Sequence, residues 1–320
     1  MARYLVTGGC GFIGSHLTDA LIGLGHSVRI LDNMSTGRIE NKHPAADLLE
    51  GDVSDAPVVA RAMDGMDACF HLAAIASVEQ SNIDWIGTHR TNLTGTITVF
   101  DAARRARPNV PTPVVYASSA AVYGGNQDVP LNEMSATHPI SAYGADKLGS
   151  EMHGFAAWHV HGVPTRGLRF FNVYGPRQDP NSPYSGVISI FCDRLKANRG
   201  ITIFGDGHQS RDFIFVGDVV QALLSAMEYA TAGAQVHNVC TGRPTSIREL
   251  ATAVAEILGV AADIYFAPPR QGDIRFSFGD PSRAREALGF TARTSLVGGL
   301  MKTLLTKSPL PHIPAASGAG

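Results

Sequence analysis

The chain has 320 residues, of which 44% are hydrophobic, and a formal net charge of −2. That length accommodates one large α/β unit or two closely packed domains with a sizeable buried core. A charge so close to zero excludes a surface built to coat nucleic acid or an anionic membrane. We therefore expect neither nucleic acid nor a membrane among the partners of this protein.

The cysteines and histidines lack the spacings that are typical of metal sites. The four cysteines form no C-x-x-C pair, and the twelve histidines form no H-E-x-x-H motif. We therefore predict reduced thiols, no metal ion and a cytoplasmic location. Strand-like Tyr4–Thr7 follows the first three residues directly, which leaves no room for a signal peptide. The apolar runs are also too short to span a membrane.

The first half of the chain alternates short apolar runs with longer helical patterns, which is typical of βαβ units. Such units build a parallel sheet that binds ligands at the carboxyl ends of its strands. The predicted strands are Tyr4–Thr7, Ser27–Asp32, Ala46–Glu50, Ala68–Leu72, Val114–Ser118 and Pro164–Phe170, and the predicted helices lie near Ser15–Leu24, Ala56–Met63, Thr88–Arg105 and Ala142–His161. The sequence thus predicts an α/β fold with a Rossmann-type doubly wound parallel sheet.

The alternation changes after Asn172, where a polar, proline-rich loop begins. Shorter elements follow, among them a helix at Ser246–Leu258 with Ser246 as its cap. We therefore predict a smaller C-terminal substrate domain that is interleaved with the first domain. The predicted limits are residues 1–172 for the first domain, which 211–240 rejoins, residues 173–210 and 241–307 for the second, and residues 308–320 for a flexible tail.

A glycine-rich turn joins the first strand to the first helix. Gly8, Gly11 and Gly14 have G-x-x-G-x-x-G spacing, which permits a tight turn and a close approach of the backbone to phosphate. The N-terminus of the following helix offers N–H groups to a pyrophosphate. Asp32, at the end of the second strand, suits a ribose diol and would repel a 2′-phosphate. This favours NAD over NADP, although Arg38 nearby keeps NADP as an alternative.

The ends of two further strands extend the predicted cofactor site. Asp52 and Val53 follow the third strand, where they would meet the adenine. Leu72, Ala73 and Ala74 are small or apolar where the fourth strand would pass beneath the cofactor.

A hydroxyl, a phenol and an ammonium form the predicted catalytic group. Tyr143 and Lys147 are four residues apart and therefore share one face of a helix. Tyrosine titrates near pH ~10, but a neighbouring ammonium and the positive nicotinamide would lower the pKa of this phenol. Ser119, at the end of the fifth strand, can bond the same substrate hydroxyl and relay its proton. The three residues predict proton transfer beside a nicotinamide that exchanges a hydride.

With these motifs the chain resembles the extended short-chain dehydrogenases/reductases, and within them the nucleotide-sugar epimerase/dehydratase group. It is most similar to UDP-sugar 4-epimerases, from Arg3 to about Leu304. The segments that carry the resemblance are Val6–Gly14, Leu31–Asn33, His71–Ala74, Ser118–Gly124, Tyr143–Lys147, Arg169–Gly175 and Gly205–Phe215.

The resemblance implies Tyr143 as base, Ser119 as its hydroxyl partner and Lys147 as a ligand of the nicotinamide ribose. It further implies that NAD stays bound and is recycled during turnover. The cofactor residues that it implies, beyond those named above, are Phe12, Ile13, Asn33, Ser35, Gly37, Asn92, Ser118 and Phe170.

The reaction class follows from what stands beside the serine. Dehydratases of this group carry an acidic pair directly after the hydroxyl residue, and decarboxylating relatives carry a glutamate there. This chain has Ala120, Ala121 and Val122 at those positions. The resemblance therefore implies an isomerase that oxidises C4, lets the 4-keto sugar turn and reduces it on the other face. The alternatives are a 4,6-dehydratase, a uronate decarboxylase, or a regulatory protein that senses a dinucleotide.

The UDP-sugar site is implied by the second half of the chain. Arg211 and Arg270 resemble ligands of the phosphates, and Asp273 resembles a ligand of the ribose. Asn172 would contact the diphosphate. The remaining residues of the implied site are Val187, Thr202 and Phe204. Ser277 stands where a bulky residue would exclude N-acetyl groups. UDP-glucose/galactose is the first choice, with UDP-N-acetylglucosamine and UDP-glucuronate as alternatives. Arg177 could meet a uronate carboxylate or merely pair with Asp179.

Two long helices indicate how the protein assembles. Thr88–Arg107 and Ala142–His161 carry more apolar residues than one core-facing stripe needs. In relatives such helices pair as a four-helix bundle, so we expect a homodimer. The alternative is that both helices only cover the sheet.

Overall fold

The computed structural model describes residues 1–108, 110–179, 186–269 and 273–305. Arg270 and the predicted tail at 308–320 lie outside these residues. The strands are β1 (Arg3–Thr7), β2 (Ser27–Asp32), β3 (Asp47–Glu50), β4 (Ala68–His71), β5 (Val114–Ser119), β6 (Thr165–Phe170), β7 (Asn172–Tyr174), β8 (Ile201–Phe204), β9 (Ser210–Phe215), β10 (Ala234–Val239), β11 (Pro244–Ser246), β12 (Ile264–Ala267) and β13 (Phe276–Ser277).

Helices connect most of these strands. The α-helices are α1 (Phe12–Gly23), α2 (Ala56–Met63), α3 (Val78–Ile83), α4 (Trp85–His89), α5 (Gly95–Arg105), α6 (Ala142–His161), α7 (Val187–Lys196), α8 (Val216–Glu228), α9 (Ile247–Leu258), α10 (Ser282–Leu288) and α11 (Leu296–Leu305). None of the helices in the described part of the chain is long and apolar enough to cross a membrane.

The main sheet has seven parallel strands in the order β10-β6-β5-β4-β1-β2-β3. This confirms the predicted Rossmann-type α/β fold. Side chains alternate between its two faces. Leu5 and Leu31 pack with α2 and α5 on one face, whereas Val6 and Ile30 pack with α1 and α8 on the other. Burial on both faces explains why these two strands carry consecutive apolar residues at these positions.

A second, smaller group of elements surrounds β9. This strand pairs with β7, β11 and β13, and β8 pairs separately with β12. A separate apolar cluster from α7, α9 and α11 packs beneath them. The segment 211–240 is divided, because β9 lies in this small sheet whereas β10 extends the main one. The domain limits drawn from the sequence remain a prediction.

Two local details show how sequence determines an element. The predicted helix at Thr88–Arg105 is interrupted by a π-helical turn at Arg90–Thr94, a feature that often marks functional sites. The helix α9 begins with a capping box, in which Ser246 and Glu249 satisfy each other's backbone N–H groups. The second detail agrees with the cap predicted from the sequence.

Candidate active site

The carboxyl ends of β1, β2, β4 and β5 surround a cleft of about 420 Å³. It lies where the strand order reverses between β1 and β4, the usual ligand position in a doubly wound sheet. Most of the sequence-predicted site residues line it, namely Gly8, Gly11, Phe12, Ile13, Gly14, Asp32, Asn33, Ser35, Val53, Leu72, Ala73, Ala74, Ser118, Ser119, Tyr143, Lys147, Phe170, Asn172 and Arg177.

The glycine turn forms a cradle that side chains would fill. A Cβ on Gly14 would lie 2.1 Å from the carbonyl oxygen of Gly8. Gly8 itself has a φ of +71°, and its Cβ would lie 2.8 Å from the amide of Ala73. Within the described residues no side chain caps α1 at Gly11, so the first backbone N–H groups of this helix are left for an anion. This donor set fits the pyrophosphate of a dinucleotide.

Asp32 connects the cradle to the end of β2. Its carboxylate accepts hydrogen bonds from the N–H groups of Cys10 and Met34, both at 2.9 Å. Gly37 lies against the same carboxylate, because a Cβ at this position would stand 2.7 Å from Asp32 Oδ1. Asp32 thus joins the glycine turn at Cys10 to the loop of Met34 and Gly37 that follows β2.

Two predicted cofactor residues stand just behind the wall of the cleft. Asp52 accepts a hydrogen bond from the Asn33 amide at 3.0 Å. Asn92 is fully buried in the π-helical turn, where its side chain bonds both the N–H and the carbonyl of Ile75. Since Asn33 and Ile75 line the cleft, Asp52 and Asn92 act in this structure by supporting its wall.

The hydroxyl of Ser119 and the phenol of Tyr143 lie near each other in the cleft. Burial raises the pKa of Tyr143 above its ordinary value, and the neighbouring Ser119 hydroxyl opposes that shift. The sequence-based expectation of a lowered phenol pKa is therefore wrong for the chain without ligands. The reason is that removal from water disfavours phenolate more than the surrounding dipoles favour it.

Lys147 is buried beside these two residues. Its ammonium donates a hydrogen bond of 2.9 Å to the carbonyl of Ala117 and stands 5.8 Å from the centre of the Tyr143 ring. Burial lowers the pKa of Lys147 to about 8, although Asp146 opposes this. The side chain is therefore mostly protonated at neutral pH, and a positive charge stands next to the phenol.

A buried ion pair behind the cleft was not predicted from the sequence. Ser118 donates to Glu151 at 2.5 Å, and Glu151 is paired with Arg169 at 2.8 Å. The available signal was spacing, because Glu151 follows Lys147 by four residues and so continues the face of α6 that carries Tyr143.

The predicted UDP-sugar residues fall into two groups. Asn172 and Arg177 line the cleft, and Val187 follows Gly186, which also lines it. Arg177 does form an ion pair, but with Asp19 at 2.7 Å, whereas Asp179 pairs with Arg38.

Arg211, Asp273 and Ser277 form the second group, outside the lining of the cleft. Arg211 is paired with Asp273 at 2.5 Å, and Ser277 lies beside Arg211 in the β13–β9 register. Phe213 is the partner of Asn172 in the β7–β9 register. Arg211 is two residues from Phe213 along β9. The Arg211–Asp273 ion pair therefore stands about 7 Å along this strand from the level of Asn172 in the wall of the cleft.

Thr202 and Phe204 lie on β8, near a shallower groove of about 600 Å³. Its lining includes Gly205, Asp206, His208, Arg248 and Phe266 and none of the three candidate catalytic residues. The cleft that holds Ser119, Tyr143 and Lys147 is therefore the candidate active site.

Comparison with known proteins identifies the family. The model of the NAD dependent epimerase/dehydratase family matches residues 4–240. The chain belongs to this family. Its members' cofactor, NAD, agrees with the glycine cradle and with Asp32.

Individual relatives cover nearly the whole chain. A UDP-glucose 4-epimerase from Mycolicibacterium smegmatis is 40% identical over 308 residues, which are 94% of this chain and 97% of that protein. The crystal structure of a UDP-glucose 4-epimerase from Thermotoga maritima, with UDP-glucose, superposes with a TM-score of 0.90 at 37% identity, covering 94% of this chain and 97% of that one. A UDP-N-acetylglucosamine 4-epimerase from Methanobrevibacter ruminantium, in complex with UDP-N-acetylmuramic acid, has a TM-score of 0.89 at 34% identity and covers 95% and 97%.

The glycine cradle can be tested by filling it. Gly14→Ala is expected to weaken NAD binding about 10- to 100-fold, because the added methyl overpacks the turn by roughly 1–3 kcal/mol. The matched control is Gly23→Ala on the same helix, since no atom lies within 4 Å of a Cβ there. The measurements are the NAD content of purified protein and its titration with NAD. Equal NAD affinity in both variants would contradict the assignment of the cradle.

Proposed function

We propose that this chain is an NAD-dependent 4-epimerase of UDP-sugars, with UDP-glucose and UDP-galactose as the interconverted pair. The observation that carries the proposal is the meeting of Ser119, Tyr143 and Lys147 in a dinucleotide cleft that has no acid beside Ser119. The 40% identity to a UDP-glucose 4-epimerase over 94% of the chain supports the choice of sugar.

The cofactor would be held by the glycine cradle and by Asp32. When bound, NAD supplies reversible hydride exchange at C4 of the sugar. The chain would orient the nicotinamide ribose through Lys147 and close the cleft from below with Leu72, Ala73 and Ala74.

Tyr143 would remove the proton from the C4 hydroxyl. Burial alone opposes this, because it raises the pKa of the phenol. Ser119 opposes this shift in part, and the ammonium of Lys147, 5.8 Å from the centre of the ring, would attract a phenolate as it forms. Ser119 lines the same cleft as the phenol and would bond the same substrate hydroxyl.

The surroundings of Ser119 support redox chemistry without elimination. Expulsion of water needs a group that protonates the leaving hydroxyl, yet the next three residues are Ala120, Ala121 and Val122. Glu151 is near the serines but is fully buried and paired with Arg169. A dehydratase is therefore disfavoured.

The nucleotide would be anchored along β7, β9 and β13. Arg211 has the planar fork that suits a diphosphate, and it would exchange its present partner, Asp273, for the anion. Asp273 would then be available to the ribose. A tight hold on the nucleotide leaves the sugar free to turn between the two reductions.

Tyr143→Phe tests the assignment of the base. It is expected to lower kcat by at least about 10²-fold, since proton removal is lost, while NAD and UDP still bind. Turnover is measured by NMR of the UDP-sugar product, and binding by calorimetry. Tyr229→Phe is the control, because that tyrosine is half exposed on the surface. Unchanged turnover in Tyr143→Phe would refute the role.

A panel of UDP-sugars tests the substrate. With small Ser277 as the predicted gate, the wild-type protein should epimerise UDP-glucose and also accept UDP-N-acetylglucosamine. Ser277→Tyr should lose at least about tenfold of its kcat/KM for the N-acetyl sugar alone, by steric exclusion. Ser277→Ala is the control. A product that is a 4-keto-6-deoxy sugar would instead establish a dehydratase, and activity on UDP-glucuronate alone would establish a uronate epimerase.

We further propose a homodimer through α5 and α6. Both helices keep apolar side chains at the surface, including Ile97, Met152 and Val160, as a helix-bundle interface requires. Ile97→Glu with Met152→Glu should yield a monomer in small-angle scattering at micromolar concentration, whereas Val297→Glu on α11 should remain a dimer. A wild-type monomer under these conditions would contradict the proposal.

A further inference from the structure

Three side chains on one face of α6 meet three consecutive residues of β5. Tyr143 lies near the hydroxyl of Ser119. Lys147 donates to the carbonyl of Ala117 at 2.9 Å. Glu151, one turn further, accepts a hydrogen bond from the hydroxyl of Ser118 at 2.5 Å. The first two belong to the proposed catalytic group, and Glu151 continues the same row.

Glu151 is held from behind by a two-point ion pair. Arg169 donates from Nε to Oε1 and from Nη2 to Oε2, both at 2.8 Å. The Glu151 side chain is 0% exposed and that of Arg169 is 7% exposed. Since the fork leaves the carboxylate one planar orientation, the position of Oε1, and hence of the Ser118 hydroxyl, is determined by Arg169.

The arginine is itself fixed by the sheet and by a buried tyrosine. Ser118, Arg169 and Asn238 lie side by side on β5, β6 and β10. Arg169 donates to the hydroxyl of Tyr123 at 2.9 Å, and Tyr123 donates to Asn238 at 2.7 Å. The guanidinium also stands 4.8 Å from the centre of the Tyr123 ring. The ion pair is thus one part of a connected buried network.

Stability alone does not account for this pair. Two charges lose so much hydration on burial that apolar side chains of similar volume usually stabilise a core as well or better. What apolar side chains cannot provide is an acceptor for the Ser118 hydroxyl, which is also buried. The particular contribution of the pair is therefore directional, and it acts on the residue that precedes Ser119.

We propose that Glu151, oriented by Arg169, is a positioning residue that holds the end of β5 so that Ser119 meets Tyr143. The inference rests on the proposed function, because it concerns the geometry of that proton-transfer pair. Loss of the Glu151–Ser118 bond should let the end of β5 shift. A displacement of about 1 Å in such a pair lowers the rate about 10²-fold. The glycine cradle and Asp32 should still hold the cofactor, since they lie on other strands.

The decisive variant combines Glu151→Met with Arg169→Leu, which removes both charges and keeps the volume. It should unfold at a temperature close to that of the wild type. Either single substitution leaves a buried charge without its partner and should lower the unfolding temperature. The double variant should bind NAD and UDP normally. Its kcat should fall about 10²-fold with an unchanged KM, because only the reacting geometry is altered.

Ser118→Ala provides a second route that retains the ion pair. It should lower kcat in the same direction, and it should cause no further loss when added to the double variant, because both remove one interaction. Ser150→Ala is the matched control on α6. Its hydroxyl bonds the Asp146 carbonyl and Thr96 rather than β5, so its kcat should be unchanged.

Wild-type kcat in the double variant or in Ser118→Ala would overturn the inference and leave the pair as packing alone. If the double variant does not fold, the kcat of Ser118→Ala alone tests the inference. These outcomes are separate from failure of the proposed function, which would be seen as full activity of Tyr143→Phe.

Discussion

The attachment of α6 to the end of β5 is the contact on which the candidate active site depends. Ser119 ends a strand of the sheet, and Tyr143 begins a helix that the chain reaches only after a long connection. Their side chains meet because Lys147 and Glu151 bind Ala117 and Ser118 in the same strand. Proton transfer requires a close approach of the reacting atoms, and this row of contacts brings the two side chains to one place without any ligand.

Burial of the same residues changes the pKa values of their side chains. The chain places a phenol and an ammonium away from water, where each resists its charged form. The pKa of Tyr143 rises and that of Lys147 falls to about 8. Burial thereby brings the pKa of Lys147 closer to neutral pH but moves that of Tyr143 away from it, so the phenol depends on nearby positive charge to act as a base.

Much of this could be predicted from the sequence, because the main sheet is buried on both faces. Apolar runs therefore marked its strands, and the helix at Ala142–His161 was predicted with its observed bounds. The glycine spacing and Asp32 predicted the cradle, since only glycine fits where a Cβ would meet backbone. The small sheet was harder: β7, β11 and β13 have two or three residues each, too few to show a period.

The parts of the site that sequence reasoning missed depend on pairing in space. No spacing along the chain reveals that Glu151 meets Arg169, or that Arg177 pairs with Asp19 rather than Asp179. The raised pKa of Tyr143 in the chain without ligands was also missed, because burial cannot be measured from sequence. The π-helical turn at Asn92 departs from the helical period that predicted a continuous helix, and it does so where the side chain supports the wall of the cleft.

Incubation with UDP-glucose deuterated at C4 tests the central claim most directly. If Tyr143 serves a reversible oxidation at C4 within a closed cleft, the UDP-galactose product will retain its deuterium at C4 and none will appear in the solvent. Loss of the label to water, or a product deuterated at another carbon, would contradict the account.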